Sequence, residues 1–348
     1  MLISIVGNRP KARTEIQIGN KAAAMLPLSV LDLAPVSEGS TPALALQNAC
    51  DLAQHAERLG YRRYWVAEHH NMAGIASAAT AVVIGFIAAN TATIRVGAGG
   101  IMLPNHSPLV IAEQFGTLES LYPRRIDLGL GRAPGTDRQT MHALRVDPMA
   151  SERFPQDVLE LQALLGPLQP GQTIQAVPGT GTNVPLWILG SSLFGAQLAA
   201  MLGLPYAFAS HFSPDALMPA MEVYRTRFEP SAQLPKPYAM AGVNVIVAET
   251  DAQARHHFTS LQQRFADMAR GSRGLTKPPI DDIETYWSGV EKAQAQRMLA
   301  CSFVGSPATV RGQLHEFIDK TGADELMVAT AVFEHASRIK SYELLAEI

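Results

Sequence analysis

The alternation of short apolar runs with helical segments constrains the fold of this chain most strongly. Eight runs of strongly apolar residues follow one another from residue 28 onward. Their near-continuous apolar character is typical of parallel strands that are buried on both faces. The predicted strands are Leu28–Leu33, Tyr64–Ala67, Ile94–Ile101, Ile126–Gly131, Leu186–Leu189, Tyr206–Ala209, Ala241–Val247 and Glu325–Ala329.

Helical patterns occupy most of the intervals between these strands. Proline at position 108 follows a serine, which is a typical helix start, and Gly60 and Gly203 are typical helix stops. Regular alternation of this kind predicts right-handed βαβ units and a parallel sheet. Eight units favour a closed (β/α)8 TIM barrel, an α/β fold, over an open doubly wound sheet. The predicted helices are 44–59, 78–89, 108–121, 193–202, 252–269 and 309–320.

Two intervals are too long to be ordinary connections. Residues 166–185, before the fifth strand, are rich in glycine and proline, and residues 270–302, between the seventh and eighth strands, are polar. We therefore expect a single barrel with insertions at these two places. Long loops in a compact domain are usually functional, and in a barrel they would lie at the carboxyl ends of the strands, where barrel enzymes place their active sites.

Composition narrows the class of protein. Hydrophobic residues make up 47% of the 348 residues, and 28 basic against 31 acidic residues give a net charge of −3, so nucleic acid is not expected as the main partner. Two cysteines, Cys50 and Cys301, cannot form a disulfide framework, and no apolar stretch is long enough to span a membrane. These features favour a cytoplasmic enzyme. Residues 1–24 lack the apolar centre of a secretory signal, so we expect a disordered extension before a barrel domain of residues 25–348.

Polar and small residues cluster where predicted strands end. Glu68, His69 and His70 follow the second strand, and neighbouring residues of an extended chain point in opposite directions, so we expect one of the two histidines to face the barrel mouth. Gly99 and Gly100 interrupt the third strand. A pair of glycines there indicates either close approach of a flat ligand to the backbone or a bulge that helps to close the barrel.

A second cluster resembles a cradle for phosphate. Gly190, Ser191 and Ser192 end the fifth strand, and Gly195 lies in the helix that follows. Free N–H groups, hydroxyls and the helix dipole bind phosphate well, although two serines before a helix are also an ordinary cap. Arg132, at the end of the neighbouring fourth strand, supplies a cation that can reach the same phosphate.

Four motifs, in order and with matching spacing, resemble those of the bacterial luciferase-like family of flavin-dependent monooxygenases. The resemblance extends from about Pro27 to the C-terminus and is nearest to members of the family that do not emit light. Light-emitting members have a cysteine where this chain has Gly131. Glycine would leave more room beside the flavin ring. The motifs are Trp65–His70, Val96–Pro104, Asp127–Arg132 and Val304–Pro307.

The resemblance implies an activity and a set of partners. The barrel would bind FMN across its C-terminal mouth, usually as a homodimer. A separate NAD(P)H–flavin reductase would supply reduced FMN, which reacts with O2 to give a hydroperoxide that oxygenates a small organic substrate. Such an intermediate needs an apolar cover, and segment 270–302, with Tyr286 and Trp287, is a candidate. Arg273 and Lys277 in this segment are either solvated charges or phosphate contacts.

The resemblance also implies roles for individual residues. His69 matches the base or proton donor near the flavin, and Glu68 and His70 beside it complete the candidate catalytic group. Gly99 and Gly100 would hold a non-prolyl cis peptide against the flavin ring. The candidate cofactor-binding residues are Ala34, Gly99, Gly100, Arg132, Gly190, Ser191, Ser192 and Gly195.

Three alternatives remain open at this stage. A deazaflavin (F420)-dependent oxidoreductase of the same fold would transfer hydride without oxygen. A metal-dependent barrel hydrolase would use Glu68, His69 or His70, His106 and His211 as ligands, but no strand carries a His-X-His pair, so we assign no metal site. A flavin-binding protein without turnover is the third alternative.

Overall fold

Nine parallel strands form one sheet in the computed structural model, which describes residues 26–133 and 137–348. The extension expected at residues 1–24 lies outside these described residues. The strands are β1 (Leu28–Asp32), β2 (Arg63–Val66), β3 (Arg95–Met102), β4 (Ile126–Gly131), β5 (Leu186–Gly190), β6 (Tyr206–Phe208), β7 (Ala239–Val247), β8 (Ser302–Gly305) and β9 (Glu325–Ala329).

Eight of these strands close into a barrel. Each strand from β1 to β7 pairs in parallel with the next, β7 also pairs with β9, and β9 returns to β1. The eight predicted strands are therefore the eight barrel strands, and the predicted TIM barrel is confirmed. Strand β8 was not predicted: it pairs with the end of β7, residues 244–247, whereas β9 pairs with residues 240–244.

Helices surround the barrel and begin where the sequence supplies start signals. Thr41 accepts a hydrogen bond from the Leu44 N–H at the start of α1, Thr250 does the same for Gln253 in α8, and Ser288 forms a capping box with Glu291 at α9. The helices are α1 (Pro42–Arg58), α2 (Thr80–Ala89), α3 (Pro108–Leu121), α4 (Arg138–Ala143), α5 (Phe154–Leu165), α6 (Leu193–Met201), α7 (Leu217–Thr226), α8 (Asp251–Ala269), α9 (Gly289–Met298), α10 (Pro307–Thr321) and α11 (His335–Ala346).

Two tryptophans fill the centre of the barrel. The rings of Trp65 on β2 and Trp187 on β5 meet edge to face, with centroids 5.2 Å apart. Between them, Trp65 is paired with Gly97 on β3, and Trp187 with Gly129 on β4. A Cβ at Gly129 would lie 2.2 Å from the carbonyl oxygen of Ala98, so a side chain there is excluded. At Gly97 and Gly129 the close approach of the two middle strands to each other therefore requires glycine.

Buried charges close the barrel on the side where the strands begin. The Arg63 guanidinium pairs with Asp127 at 2.8 Å and with Glu325 at 2.9 Å, and it lies 4.7 Å from the centroid of the Trp187 ring. Burial alone would raise the pKa of Asp127, but the charges of Arg63 and Arg95 outweigh it and hold that pKa below its usual value. Both acids and Arg63 are fully paired, as buried charges require.

The two expected insertions differ in structure. Residues 166–185 contain turns but no helix or strand, because α4 and α5 precede them and α5 ends at Leu165. The segment expected as a loop at 270–302 contains helix α9 and a short 3-10 helix, Ile283–Thr285. Trp287 packs there in a small apolar cluster with Leu261 and Phe265 of α8. Trp287 is thus attached to α8 in this structure, and the role of segment 270–302 as a cover stays a prediction.

Both cysteines lie in the described part of the chain. Cys50 and Cys301 are both buried free thiols. Within residues 26–133 and 137–348, no helix is long and apolar enough to cross a membrane.

We expect the glycine at position 129 to be required for stability. Gly129→Ala should cost about 3 kcal/mol, because the added methyl meets backbone that cannot move aside. Gly312→Ala is the matched control: Gly312 lies in the exposed part of α10 with no atom within 4 Å of an added Cβ, and the change should stabilise the helix by about 0.8 kcal/mol. Urea denaturation of both variants measures the difference, and equal midpoints would contradict this account of the barrel interior.

Candidate active site

The carboxyl ends of the barrel strands bring together the polar residues that the sequence singled out. Strand β2 ends at Val66, so Glu68, His69 and His70 lie in the connection just beyond it. His106 follows β3 and a short 3-10 helix, and His211 follows β6. Side chains from three strand ends thus converge on one mouth of the barrel, as in other barrel enzymes.

Glu68 is the hub of this group. Its side chain is buried, and its carboxylate accepts hydrogen bonds from the Met102 N–H at 2.9 Å and from Asn105 Nδ2 at 3.0 Å. His70 Nε2 lies 2.7 Å from Oε1, and His106 Nε2 lies 2.9 Å from both carboxylate oxygens. The carboxylate therefore ties the connection after β2 to the end of β3.

The electrostatics of Glu68 agree with a positioning role. Burial raises the pKa of its carboxyl, but the hydrogen bonds from His106, Asn105 and His70 outweigh burial and hold the pKa below its usual value. Glu68 therefore remains a carboxylate near neutral pH. Both oxygens are already occupied by donors, so the residue orients His70 and His106 instead of offering a free base.

Unlike His70, His69 has no carboxylate as a hydrogen-bond partner among the described residues. Its Nδ1 atom is buried without a hydrogen bond to any described residue. Burial, together with the nearby positive charge of Arg264, lowers the pKa of the imidazole to about 4. A neutral ring with an unused nitrogen is able to accept or pass a proton. The sequence expected one histidine of the pair to face the mouth, and this geometry favours His69.

His211 is a second histidine in the same state. Its Nδ1 is also buried without a partner among the described residues, and burial followed by the proximity of His69 lowers its pKa to about 4. The ring fits only because β7 carries glycine opposite it: a Cβ at Gly242 would lie 2.5 Å from His211 Nδ1. His69 and His211 thus lie near each other, one from β2 and one after β6.

Gly99 and Gly100 form a bulge in β3. The peptide bond between them is cis, as the resemblance implied, and the register of β3 against β4 shifts between Gly99 and Ile101. A Cβ at Gly99 would lie 3.0 Å from Trp65, and one at Gly100 would lie 2.7 Å from the Gly129 carbonyl oxygen. Packing inside the barrel is therefore reason enough for both glycines, and the bulge was one of the two explanations considered.

The residues of the predicted phosphate cradle lie around the start of α6, and the cradle itself stays a prediction. The guanidinium carbon of Arg132 lies 4.2 Å from the ring centroid of Phe194, in the first turn of α6. Ser192 is the N-cap of α6 but its side chain caps no N–H, and the hydroxyls of Ser191 and Ser192 make no hydrogen bond within the described part of the chain. An arginine thus lies beside a helix start whose donors are free to bind an anion.

Small residues complete the cradle. The Cα atom of Gly195 would lie 3.8 Å from a Cβ at Gly190, so the end of β5 and the first turn of α6 pack closely. This contact brings Ser191 and Ser192 to the surface between the two elements.

Two sequence expectations need correction. Ala34 has no accessible surface, and its N–H and carbonyl are bonded to Asp32 and Ala76, so in this conformation it contacts no ligand. The space expected beside Gly131 is partly filled, because a Cβ there would lie 2.9 Å from the sulfur of Met102. Room for a bulkier ligand at that point depends on movement of the flexible Met102 side chain.

The candidate metal ligands do not assemble into a metal site. No group of three His, Cys, Asp or Glu side chains is arranged to hold a metal ion in residues 26–133 and 137–348. Glu68 has two of the histidines as hydrogen-bond partners, while His69 and His211 lie apart from its carboxylate. The metal-hydrolase alternative therefore lacks a ligand set in this part of the chain.

A separate cavity of about 700 Å³ lies away from these residues. It is bounded by α8, α9 and β8, with Phe258, Trp287 and Val304 among its lining residues. None of the predicted site residues lines it. It is a crevice between the second insertion and the barrel.

Sequence reasoning missed Arg264. It lies on α8, and its guanidinium is near enough to His69 to affect the pKa of that imidazole. A charged residue in an amphipathic helix normally faces solvent, so no local pattern marked it. Only the folded arrangement brings α8 to the barrel mouth.

Comparison with known proteins identifies relatives over nearly the whole chain. A family model described as luciferase-like monooxygenase matches residues 26–325. A luciferase-like monooxygenase of Escherichia coli strain K12 is 53% identical over 321 residues, which cover 92% of this chain and 96% of that protein. N-acetyl-S-alkylcysteine monooxygenase of Bacillus subtilis strain 168 is 30% identical over 337 residues, which cover 93% of this chain and 98% of that protein.

Solved structures agree with this assignment. The crystal structure of apo-MsnO8 matches with a TM-score of 0.83 at 38% identity, covering 93% of this chain and 98% of MsnO8. The FMN complex of the oxygenating constituent of 3,6-diketocamphane monooxygenase of Pseudomonas putida matches with a TM-score of 0.70 at 17% identity. The match covers 92% of this chain and 97% of that chain. An F420-dependent secondary alcohol dehydrogenase matches with a TM-score of 0.67 at 15% identity, covering 92% of this chain and 98% of that chain. The last two show the fold alone.

We expect His69 to stay neutral at pH 5.5. Its pKa in the folded protein is about 4, below the usual value near 6.5. Because protonation then favours the unfolded chain, the contribution of His69 to stability is complete above about pH 6.5 and is lost as the pH falls toward 4. Histidine ¹⁵N NMR between pH 4 and 8, with His69→Asn to assign the signal, measures the titration.

The same variant supplies the stability control. The thermal midpoint of His69→Asn should fall less between pH 7 and pH 5 than that of the natural protein. A His69 signal that titrates between pH 6 and 7 would contradict the described environment of the ring.

Proposed function

The chain belongs to the family of luciferase-like monooxygenases, and from this premise we propose that it is an FMN-dependent monooxygenase. It would use reduced FMN and O2 to oxygenate a small organic substrate at the carboxyl end of the barrel. The observation that carries the proposal is the unoccupied pair of donors at the start of α6, with Arg132 beside them.

This cradle suits the phosphate of FMN. A phosphate is an anion with several acceptor oxygens, and it binds best where backbone N–H groups, hydroxyls and a guanidinium converge. Ser191, Ser192 and Arg132 supply these groups, and no described carboxylate forms an ion pair with Arg132 that would compete. Phe194 holds the guanidinium plane over the helix start through a cation–π contact.

The barrel mouth beside the cradle offers a surface for the flavin ring. Strand β3 lies between β2, which leads to His69, and β4, which leads to Arg132. Gly99 and Gly100 lie near its carboxyl end, before Ile101 and Met102, and carry no side chain there. Leu33, Leu189 and Ala329 belong to the apolar cluster inside the barrel. Apolar residues beneath the ring would help to exclude water from the reacting atoms.

Reduced FMN, when bound, supplies the electrons that activate O2. The chain would supply the proton chemistry. His69 is neutral near pH 7 and has an unused Nδ1, so it can accept a proton from the substrate or return one. Glu68 would position His70 and His106, and so fix the connection that carries His69, without itself exchanging protons.

Further parts of the proposal come from the family resemblance. They are a separate NAD(P)H–flavin reductase that delivers reduced FMN, a homodimer as the working assembly, and a cytoplasmic location. The fold also accepts a deazaflavin in a solved structure, so hydride transfer with F420 is the outcome that the experiments below must separate.

We expect Arg132→Met to weaken FMN binding about tenfold to hundredfold, because a charge-assisted hydrogen bond to phosphate contributes about 1.5–3 kcal/mol. Riboflavin lacks the phosphate, so its affinity should change less than about threefold. Fluorescence titration measures both ligands. Arg227→Met is the control variant, since this exposed arginine follows α7 on the side where the strands begin. Equal losses for both flavins would contradict the cradle.

We also expect the protein to change how reduced FMN reacts with oxygen. Rapid mixing with oxygenated buffer should show an additional, slower spectral phase that free FMN lacks, because the site excludes water. His69→Asn should keep FMN bound but alter this phase. Reoxidation indistinguishable from free flavin, together with tighter binding of F420 than FMN, would favour hydride transfer instead.

A further inference from the structure

Arg264 is placed unlike the other deep arginines of this protein. Arg63 pairs with Asp127 and Glu325, and Arg338 pairs with Asp32 at 2.6 Å. Arg264, in contrast, forms no hydrogen bond and no ion pair with any residue in the described part of the chain. A guanidinium that is removed from water without an acceptor is costly, and folded proteins rarely keep one without use.

Arg264 is partly exposed and yet closely surrounded by protein. The side chain keeps part of its accessible surface, yet protein surrounds it closely enough that burial lowers the pKa of the guanidinium. Its charge also lowers the pKa of His69, which places it beside that imidazole. Arg264 therefore keeps a partly accessible positive charge near the residue proposed to move protons.

A second unsatisfied group shares the same helix face. Ser260 lies four residues before Arg264, and residues at this spacing are neighbours on a helix. Its hydroxyl is buried and has no partner among the described residues. His69 Nδ1 and His211 Nδ1 are unsatisfied as well. A cation, a hydroxyl and two imidazole nitrogens thus lack partners among the described residues of this part of the protein.

The phosphate of FMN is not the natural occupant of this place. The proposed cradle lies at the ends of β4 and β5, where Arg132 and the start of α6 supply its donors. Arg264 lies beside His69, which follows β2, two strands away from β4 around the barrel. A ligand that fills the cradle therefore leaves Arg264 for a different anion.

We propose that Arg264 binds the carboxylate of the substrate, so that this monooxygenase acts on organic anions. The inference deepens the proposed function and rests on it. The planar fork of a guanidinium matches a carboxylate through two parallel hydrogen bonds, which fixes both the position and the orientation of the ligand. A carboxylate on Arg264 would hold the remainder of the substrate beside His69.

The test compares carboxylates with their primary amides. The probes are hexanoate with hexanamide and benzoate with benzamide, titrated into the full-length protein, with and without FMN, by isothermal calorimetry in chloride-free buffer. The natural protein should bind at least one carboxylate at least tenfold more tightly than its amide. Arg264→Met should remove this preference, and Arg264→Lys should restore part of it.

A control on the same helix separates this effect from a general loss of charge. Arg255 is exposed and lies nine residues, or two and a half turns, before Arg264, so the two face opposite sides of α8. Arg255→Met should keep the carboxylate preference of the natural protein. The thermal midpoint of each variant confirms that it folds.

The remaining outcomes are decisive. A carboxylate preference that persists in Arg264→Met, or that the natural protein lacks, overturns the inference. A tenfold loss of FMN affinity in Arg264→Met also overturns it, because the arginine would then belong to the flavin site. If the natural protein binds no FMN but Arg264 still governs carboxylate binding, the proposed cofactor fails while the anion site stands.

Discussion

The packing of Trp65 against Trp187 inside the barrel is the interaction on which the rest of the structure depends. An eight-stranded barrel must be filled by its own side chains, usually in regular layers. Here two tryptophans occupy the central layer, and β3 and β4 between them can carry only glycine at the facing positions. The same glycine-rich strands continue to the mouth, where they leave the backbone uncovered.

Charged and polar side chains are paired differently at the two ends of the barrel. Where the strands begin, Arg63, Asp127 and Glu325 are buried and mutually satisfied, and they reinforce the tryptophan layer through the contact of Arg63 with Trp187. Where the strands end, Arg264 and the buried Nδ1 atoms of His69 and His211 lack partners among the described residues. A fully satisfied network stabilises a fold, while unsatisfied groups at a concave mouth are what a ligand can bind.

The sequence predicted the barrel strands well because parallel strands buried on both faces are continuously apolar, and that pattern is local. It missed β8, a four-residue strand outside the barrel that depends on pairing with the end of β7. It also assigned the region of α9 to a loop, because that helix is polar on most sides and packs through few residues, such as Ala295 and Leu299. Elements whose stability comes from tertiary contacts have weak local patterns.

For the site, the sequence determined which chemical groups stand at the strand ends: the Glu-His-His run, the glycine pair, the arginine and the two serines. Their place follows from strand order, which the alternation already implied. Tertiary structure alone decided their partners: Glu68 became a hub for His70 and His106, His69 Nδ1 was left without a partner among the described residues, and Ala34 was buried. It also brought Arg264 from a surface helix to the mouth. The reason is physical, since residue type and spacing fix the available chemistry, while burial and partners arise only when distant segments meet.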